Sequence, residues 1–332
     1  MRESLYSFEC ASGTEFRHTD LKGQVLKTIR PLQIPLLLCA VLSAAMPFQA
    51  KAQQIAFTWD DLPAHGTLPA GETRVNIARK LVAAMKDAHV PPAYAFVNGM
   101  QMEREPLSTP ALRVWREAGF SLGNHTWSHP NLNTTSLADW EADLLKNELL
   151  LKEQMGSGDW HWLRYPYVAE GETAEKRAAA RKFLAEHGYR IAPVTMSFGD
   201  YAYNDPYARC IAKNDSAAIA RLESEYLRAA GAAIDYSRSM AKTLYGHDIP
   251  YVLLMHAGAF DARMLPRLLK LYSDRGFSFV TLQQAENDPF YKNDLDLSLP
   301  PAPDSLEEAM NLRGLPIPHA PDPDPTLDKL CR

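Results

Sequence analysis

Two adjacent carboxylates, Asp60 and Asp61, close the apolar run Ile55-Ala56-Phe57-Thr58-Trp59. Such a run, with aromatic and β-branched residues, reads as a buried strand. Successive residues of an extended chain point in opposite directions, so the two acids face different surroundings and do different jobs. Acids at the mouth of a buried strand are costly unless a metal, a proton or a cation uses them. A polar turn after a strand is the plainer alternative. Downstream stands His125-Thr126-Trp127-Ser128-His129. A helical turn there would set both imidazoles on one face, where they can grip one ion. The glutamate that a His-Glu-x-x-His zinc helix uses as its base is missing, so a base must come from elsewhere. One Asp with two His leaves coordination positions open for water and substrate, which suits hydrolysis. The plainer alternative is a pair of surface or capping histidines.

The elements that must position these groups alternate regularly. Helical spacing covers Thr73–His89, Pro110–Ala118, Ser136–Gln154, Thr173–His187, Asp215–Tyr245 and Asp261–Arg275. Strand patterns fall at Ala93–Val97, Phe120–Asn124, Trp160–Arg164, Arg190–Val194, Tyr251–His256 and Phe277–Thr281. Leu62–Glu72 reads as a loop, and Tyr201–Asn214 as irregular. About seven β/α units with no linker between them predict an α/β fold, a distorted (β/α)7-type parallel barrel in a single domain over 53–286. Chemistry in such barrels sits at the carboxyl ends of the strands. Asp60, Asp61, His125, Arg164, Asp200 and His256 all fall there. Residues 287–332 carry nine prolines and read as an extended tail, with one helical turn around Ser305–Met310.

The amino-terminal residues have a different character. Lys27 and Arg30 precede the apolar run Leu32–Ala45, and Ala50-Lys51-Ala52 offers a small-x-small cleavage site. Residues 25–52 are therefore expected to be a signal peptide cut after Ala52, the run being too short and broken for a comfortable membrane span. Residues 1–24 are polar and unpatterned and read as an over-extended gene start. The expected location is secreted or periplasmic. Cleavage would remove six basic and four acidic side chains, taking the net charge from −5 to −7. With no dense Lys/Arg block, that balance argues against nucleic acid as the main partner. A hydrophobic content of 46% in 332 residues is ample for a large core. Cys210 and Cys331 would be left as an even pair in an oxidising compartment, able to tie the tail to the body if they come within reach.

Five motifs, in order, resemble the polysaccharide deacetylases, the group sharing the NodB homology domain and assigned to carbohydrate esterase family 4. Thr58-Trp59-Asp60-Asp61-Leu62 resembles the family's Thr-Phe-Asp-Asp-Gly, with Trp for Phe and Leu for Gly. His125 to His129 matches His-(Ser/Thr)-x-x-His. Arg164-Tyr165-Pro166-Tyr167 matches Arg-x-Pro-(Tyr/Phe). Ser197-Phe198-Gly199-Asp200-Tyr201 keeps part of Asp-x-x-Asp-(Trp/Tyr), and Leu254-Met255-His256 matches Leu-x-His. The resemblance covers about Gln54 to Ala285. It implies a divalent metal held by Asp61, His125 and His129. Zinc is favoured by that ligand set, with cobalt, nickel or manganese as alternatives. It implies Asp60 as the base acting on a metal-bound water that attacks the carbonyl, and His256 as the acid for the leaving group. The backbone N–H of Tyr167 would stabilise the oxyanion. Arg164 would hold Asp60 ionised, and Asp200 would orient and charge His256. Leu254 and Trp127 would wall the acetyl methyl.

Each residue also has a plainer reading: Arg164 as a surface ion pair, Asp200 as a loop cap, His256 as a core histidine. Tyr165, Tyr167, Tyr201 and Tyr203 suit either a sugar-stacking rim or ordinary packing. Leu62 in place of Gly implies a different path for Leu62-Pro63-Ala64-His65-Gly66 and a reshaped cleft. The leading expectation is a secreted, metal-dependent hydrolase removing acetyl groups from N- or O-acetylated glycans. The alternatives are a same-fold hydrolase of small cyclic amides or imides, against which the leader counts, and a non-catalytic glycan-binding relative, against which Asp60 and His256 count.

Overall fold

A computed structural model describes residues 53–321 and 324–332. The expected gene start (1–24) and signal peptide (25–52) lie outside the described residues. Seven strands form one parallel sheet: β1 (Gln53–His65), β2 (Tyr94–Val97), β3 (Ser121–Asn124), β4 (Trp162–Leu163), β5 (Arg190–Ile191), β6 (Tyr251–Gly258) and β7 (Phe277–Phe279). Their order is β5-β4-β3-β2-β1-β6, and β7 pairs with the first residues of β1. The expected barrel is therefore present in strand number and direction but does not close, since β5 and β6 share no ladder. A single parallel bridge, Met196 to Leu253, spans the gap. The reason is local. β4 and β5 are two residues long, and the chain after Ala192 leaves the sheet and makes backbone hydrogen bonds to β6 through Thr195 and Met196.

The helices are α1 (Arg74–Asp87), α2 (Gly99–Arg104), α3 (Pro110–Glu117), α4 (Leu137–Met155), α5 (Ala174–Glu186), α6 (Asn204–Ala212), α7 (Ser216–Tyr245), α8 (Ala259–Asp274), α9 (Leu282–Glu286), α10 (Lys292–Leu295) and α11 (Leu306–Leu312). Thr73, Ser136, Thr173 and Asp215 start α1, α4, α5 and α7. Each accepts a hydrogen bond from an N–H in the first turn, which satisfies a donor the helix itself cannot.

β1 is the organising strand, flanked by β2, β6 and β7. Its period-two alternation sorts the chain into layers. Ile55, Phe57 and Trp59 face outward into the core shared with the helices. Ala56 faces inward, where Phe96, Trp162, Ala192, Val252, Leu282, Ala285 and Tyr291 fill the inside of the sheet. By the same alternation Thr58 and Asp60 lie on the inner side. The strand outruns the expected loop at Leu62: it continues to His65, which lies opposite Gly258 of β6. The segment read as irregular, Tyr201–Asn214, is a 3-10 turn (Asp200–Tyr203) followed by α6. Its polar start concealed a helix whose Pro206, Ala208 and Cys210 are buried. Pro206 is tolerated because it sits in the first turn, where its missing N–H is not needed.

The proline-rich tail lies against the body. Ser305 caps α11. Arg177 of α5 donates to the Ala302 carbonyl at 2.5 Å and Arg181 to that of Asn293 at 2.5 Å. Cys210 and Cys331 form a disulfide with a Cα–Cα distance of 5.1 Å, 121 residues apart in sequence. Closing so long a loop restricts the unfolded chain, and reducing the bond is expected to lower stability by about 2–4 kcal/mol. Denaturant unfolding with and without a thiol reductant measures this; overlapping curves would refute it. Among the described residues, no helix is long and apolar enough to cross a membrane.

Candidate active site

The site begins at a break in the alternation of β1. Asp61 has φ 61°, a left-handed conformation that Asp tolerates better than most residues. A regular strand would send its side chain outward beside Trp59; here it turns toward the histidines. Its Oδ1 lies 3.6 Å from His125 Nε2 and 3.6 Å from His129 Nε2. His125–His129 does not form the helical turn that would set both imidazoles on one helix face. The segment is a loop with Thr126 at φ 63° and His129 at φ 62°. Thr126 N–H donates to Asn124 Oδ1 (2.8 Å), while Ser128 donates its N–H (2.8 Å) and hydroxyl (2.6 Å) to the Asp143 carboxylate on α4. These local bonds satisfy the backbone better than a single isolated turn would, and they bring the imidazoles to 4.7 Å between centroids.

His125 donates from Nδ1 to the carbonyl of Arg164 at 2.7 Å. A carbonyl only accepts, so Nδ1 carries the proton and, in the neutral ring, Nε2 keeps its lone pair. Burial lowers both imidazoles to a pKa of about 4, which keeps them neutral. Asp61 stays ionised: burial opposes its charge, but the His65 hydrogen bond and the neighbouring histidines hold it below the usual carboxylate range. His125 Nε2, His129 Nε2 and Asp61 Oδ1 thus lie together, and one ligand atom from each residue lies within 4.8 Å of the others. A tetrahedral zinc with bonds of 2.0–2.1 Å puts its ligand atoms roughly 3.3 Å apart, close to the observed 3.6 Å. These residues fit a divalent metal.

Asp60 sits beside this group. Burial raises its pKa to about 6, against the pull of Arg164. Arg164 Nη1 lies 3.4 Å from each Asp60 oxygen, its Nη2 donates to Thr58 Oγ1 (2.8 Å) and its Nε to the Ala192 carbonyl (2.7 Å). The guanidinium rests 5.1 Å from the Phe96 ring centroid. A surface ion pair is ruled out, because Arg164 is 1% exposed.

On the β6 side, Asp200 accepts from the His256 backbone N–H (2.6 Å) and lies 3.1 Å from its Nδ1. Burial disfavours a charged His256, but Asp200 outweighs it and lifts the imidazole to about 10. The carboxylate comes from a 3-10 turn that the sequence did not reveal. Beneath it, Asp261 accepts from Asn204 (2.9 Å) and from the Tyr226 hydroxyl (2.8 Å). Burial, together with Asp200, pushes the Asp261 carboxyl well above the usual carboxylate range.

Residues 49–192 match the family model described as polysaccharide deacetylase. This match identifies the part of the chain from β1 to β5 as similar to the polysaccharide deacetylases. No curated protein matches the chain. Among solved structures, one similar chain is a mutant carbohydrate esterase family 4 pseudoenzyme with restored enzymatic activity, from Bacillus anthracis. It is 16% identical with a TM-score of 0.50, over 71% of this chain and 68% of that one. Another is the chitin deacetylase of the fungal pathogen Colletotrichum lindemuthianum, 21% identical, TM-score 0.48, over 71% and 88%. A third is a peptidoglycan deacetylase from Bacillus subtilis, 18% identical, TM-score 0.44, over 71% and 91%. At such identities the likeness concerns the fold.

Around this site the four tyrosines divide. Tyr165 and Tyr203 are buried packing residues, whereas Tyr167 and Tyr201 are exposed, at 65% and 52%. Tyr167 (φ 59°) sets its ring 4.5 Å from His129, and Tyr201 lies 5.2 Å from His256. Leu254 is buried near the β6 terminus, and Trp127 packs over Gly99, where an added Cβ would come within 2.2 Å of the ring. The sequence reading missed Thr58 as the partner of Arg164, the layer formed by Asn204, Tyr226 and Asp261, and His65. The signal for His65 lay in the departure from Gly at Leu62, which implied a new path for this loop.

Proposed function

We propose that the chain is a hydrolase that removes acetyl groups from N- or O-acetylated glycans. Asp61, His125 and His129 would hold one divalent cation, zinc being the favoured ion for two imidazoles and a carboxylate. When bound, the cation supplies a Lewis acid that polarises a carbonyl and acidifies water. Asp60, buried and gripped by Arg164, is placed to take a proton from the attacking water. His256, kept protonated by Asp200, is placed to give one to the departing nitrogen or oxygen of the sugar. The Tyr167 N–H, in a turn beside His129, is the candidate donor to the developing oxyanion. Exposed Tyr167 and Tyr201 offer two aromatic faces on either side for sugar rings.

The observation that carries this reading is the placement of a base (Asp60) and an acid (His256), register partners on β1 and β6, beside one Asp-His-His cluster, although the three segments are far apart in sequence. A binding module has no use for both. The Cys210–Cys331 disulfide supports a secreted or periplasmic location, with residues 25–52 as the leader, 53–286 as the catalytic domain and 287–332 as the tail. The test is acetate release from a panel of acetylated glycans. We expect activity that a chelator abolishes and added zinc restores. A metal-loaded protein that releases no acetate from any of them would shift the reading to cyclic amides or imides.

A further inference from the structure

Asp61 divides its two oxygens. Oδ1 faces His125 and His129, while Oδ2 lies 2.7 Å from Nδ1 of His65. An ionised carboxylate only accepts, so His65 is the donor. The backbone gives Asp61 little support of its own. Between Asp60 and His65 the register of β1 against β6 is broken, and Asp61 sits at φ 61°. Its carbonyl is held at 3.3 Å by Gln101 Nε2, but its side chain has no ladder neighbour to fix it. His65 is where the strand rejoins β6, opposite Gly258, and its ring lies 5.1 Å from that of His256 and 5.9 Å from that of Tyr201. Its own position is thereby set by the sheet and by two aromatic neighbours.

We propose that His65 is a positioning residue for the metal ligand Asp61: by holding Oδ2 it keeps Asp61 a one-oxygen ligand, with Oδ1 aimed between the two histidines. The inference rests on the metal site proposed above. Groups that hydrogen-bond a ligand from outside fix its orientation, and their loss costs metal affinity even though they never touch the ion. Here the usual arrangement is reversed, with an imidazole supporting a carboxylate. Leu62 is buried, and the residues after it bring the His65 side chain back to the acid.

The test uses the full mature chain and two variants, His65→Ala and His65→Gln. Zinc affinity is measured by competition with a chromophoric chelator, and the cobalt-loaded proteins are compared by visible absorption. His65→Ala is expected to weaken zinc binding by about 10–100-fold and to alter the cobalt spectrum as Asp61 becomes free to rotate. His65→Gln, whose amide can still donate, should recover most of the affinity. An alanine variant with the affinity and spectrum of the unaltered protein overturns the inference. So does a glutamine variant as weak as the alanine one, since His65 would then be acting as something other than a donor to Asp61. Unaltered protein that binds neither ion overturns the metal site itself and this inference with it.

Discussion

Replacing Asp60 by Asn lowers kcat for acetate release by about 10²–10⁴-fold, the usual contribution of a positioned general base, and leaves the metal content unchanged. Asn keeps the size of the side chain and one acceptor oxygen for Arg164 but has no basic oxygen. Asp60 lies on the inner side of β1, with its Oδ2 3.7 Å from His125 Nε2, whereas Asp61 alone stands at comparable distance from both imidazoles. Activity and metal content, the latter by elemental analysis, are measured on the same preparation. If the Asn variant emerges metal-free, Asp60 is a ligand and the roles of the two acids are exchanged.

The second large effect concerns stability. Arg164→Leu should destabilise the protein by about 3–5 kcal/mol, because removing one partner of a buried ion pair strands the other charge. Asp60, Thr58 Oγ1 and the Ala192 carbonyl would all lose a donor within the sheet interior. An exposed pair would cost only about 0–1 kcal/mol, so equilibrium unfolding in denaturant discriminates clearly. A loss below about 1 kcal/mol would mean that water reaches the guanidinium and that the pair does not fix Asp60.

Where residue type and short spacing suffice, the sequence was informative. The apolar run of β1 and the strand-helix succession are local, and the structure has them. Motif order was enough to bring forward Asp60, Asp61, His125, His129, Arg164, Asp200 and His256 as candidates. It misled where a local pattern had two solutions. Two histidines four apart suit a helical turn, yet the Asp143 carboxylate captures Ser128 and the segment stays a loop. A polar start at Tyr201 suits an irregular stretch, yet the buried face of α6 makes it helical.

By itself, then, the sequence determined the kinds of side chain available and the strands whose ends carry them, since both follow from composition and from periods of 2 and 3.6 residues. Tertiary structure alone decided that Asp61 turns out of the alternation of its strand, that His65 returns to meet it, that Asp200 reaches His256 from a turn with an incomplete motif, and that Cys331 meets Cys210. Each of these joins groups through contacts between separate segments. Local propensity carries no information about such distances; they are set by which faces pack together when the core is buried.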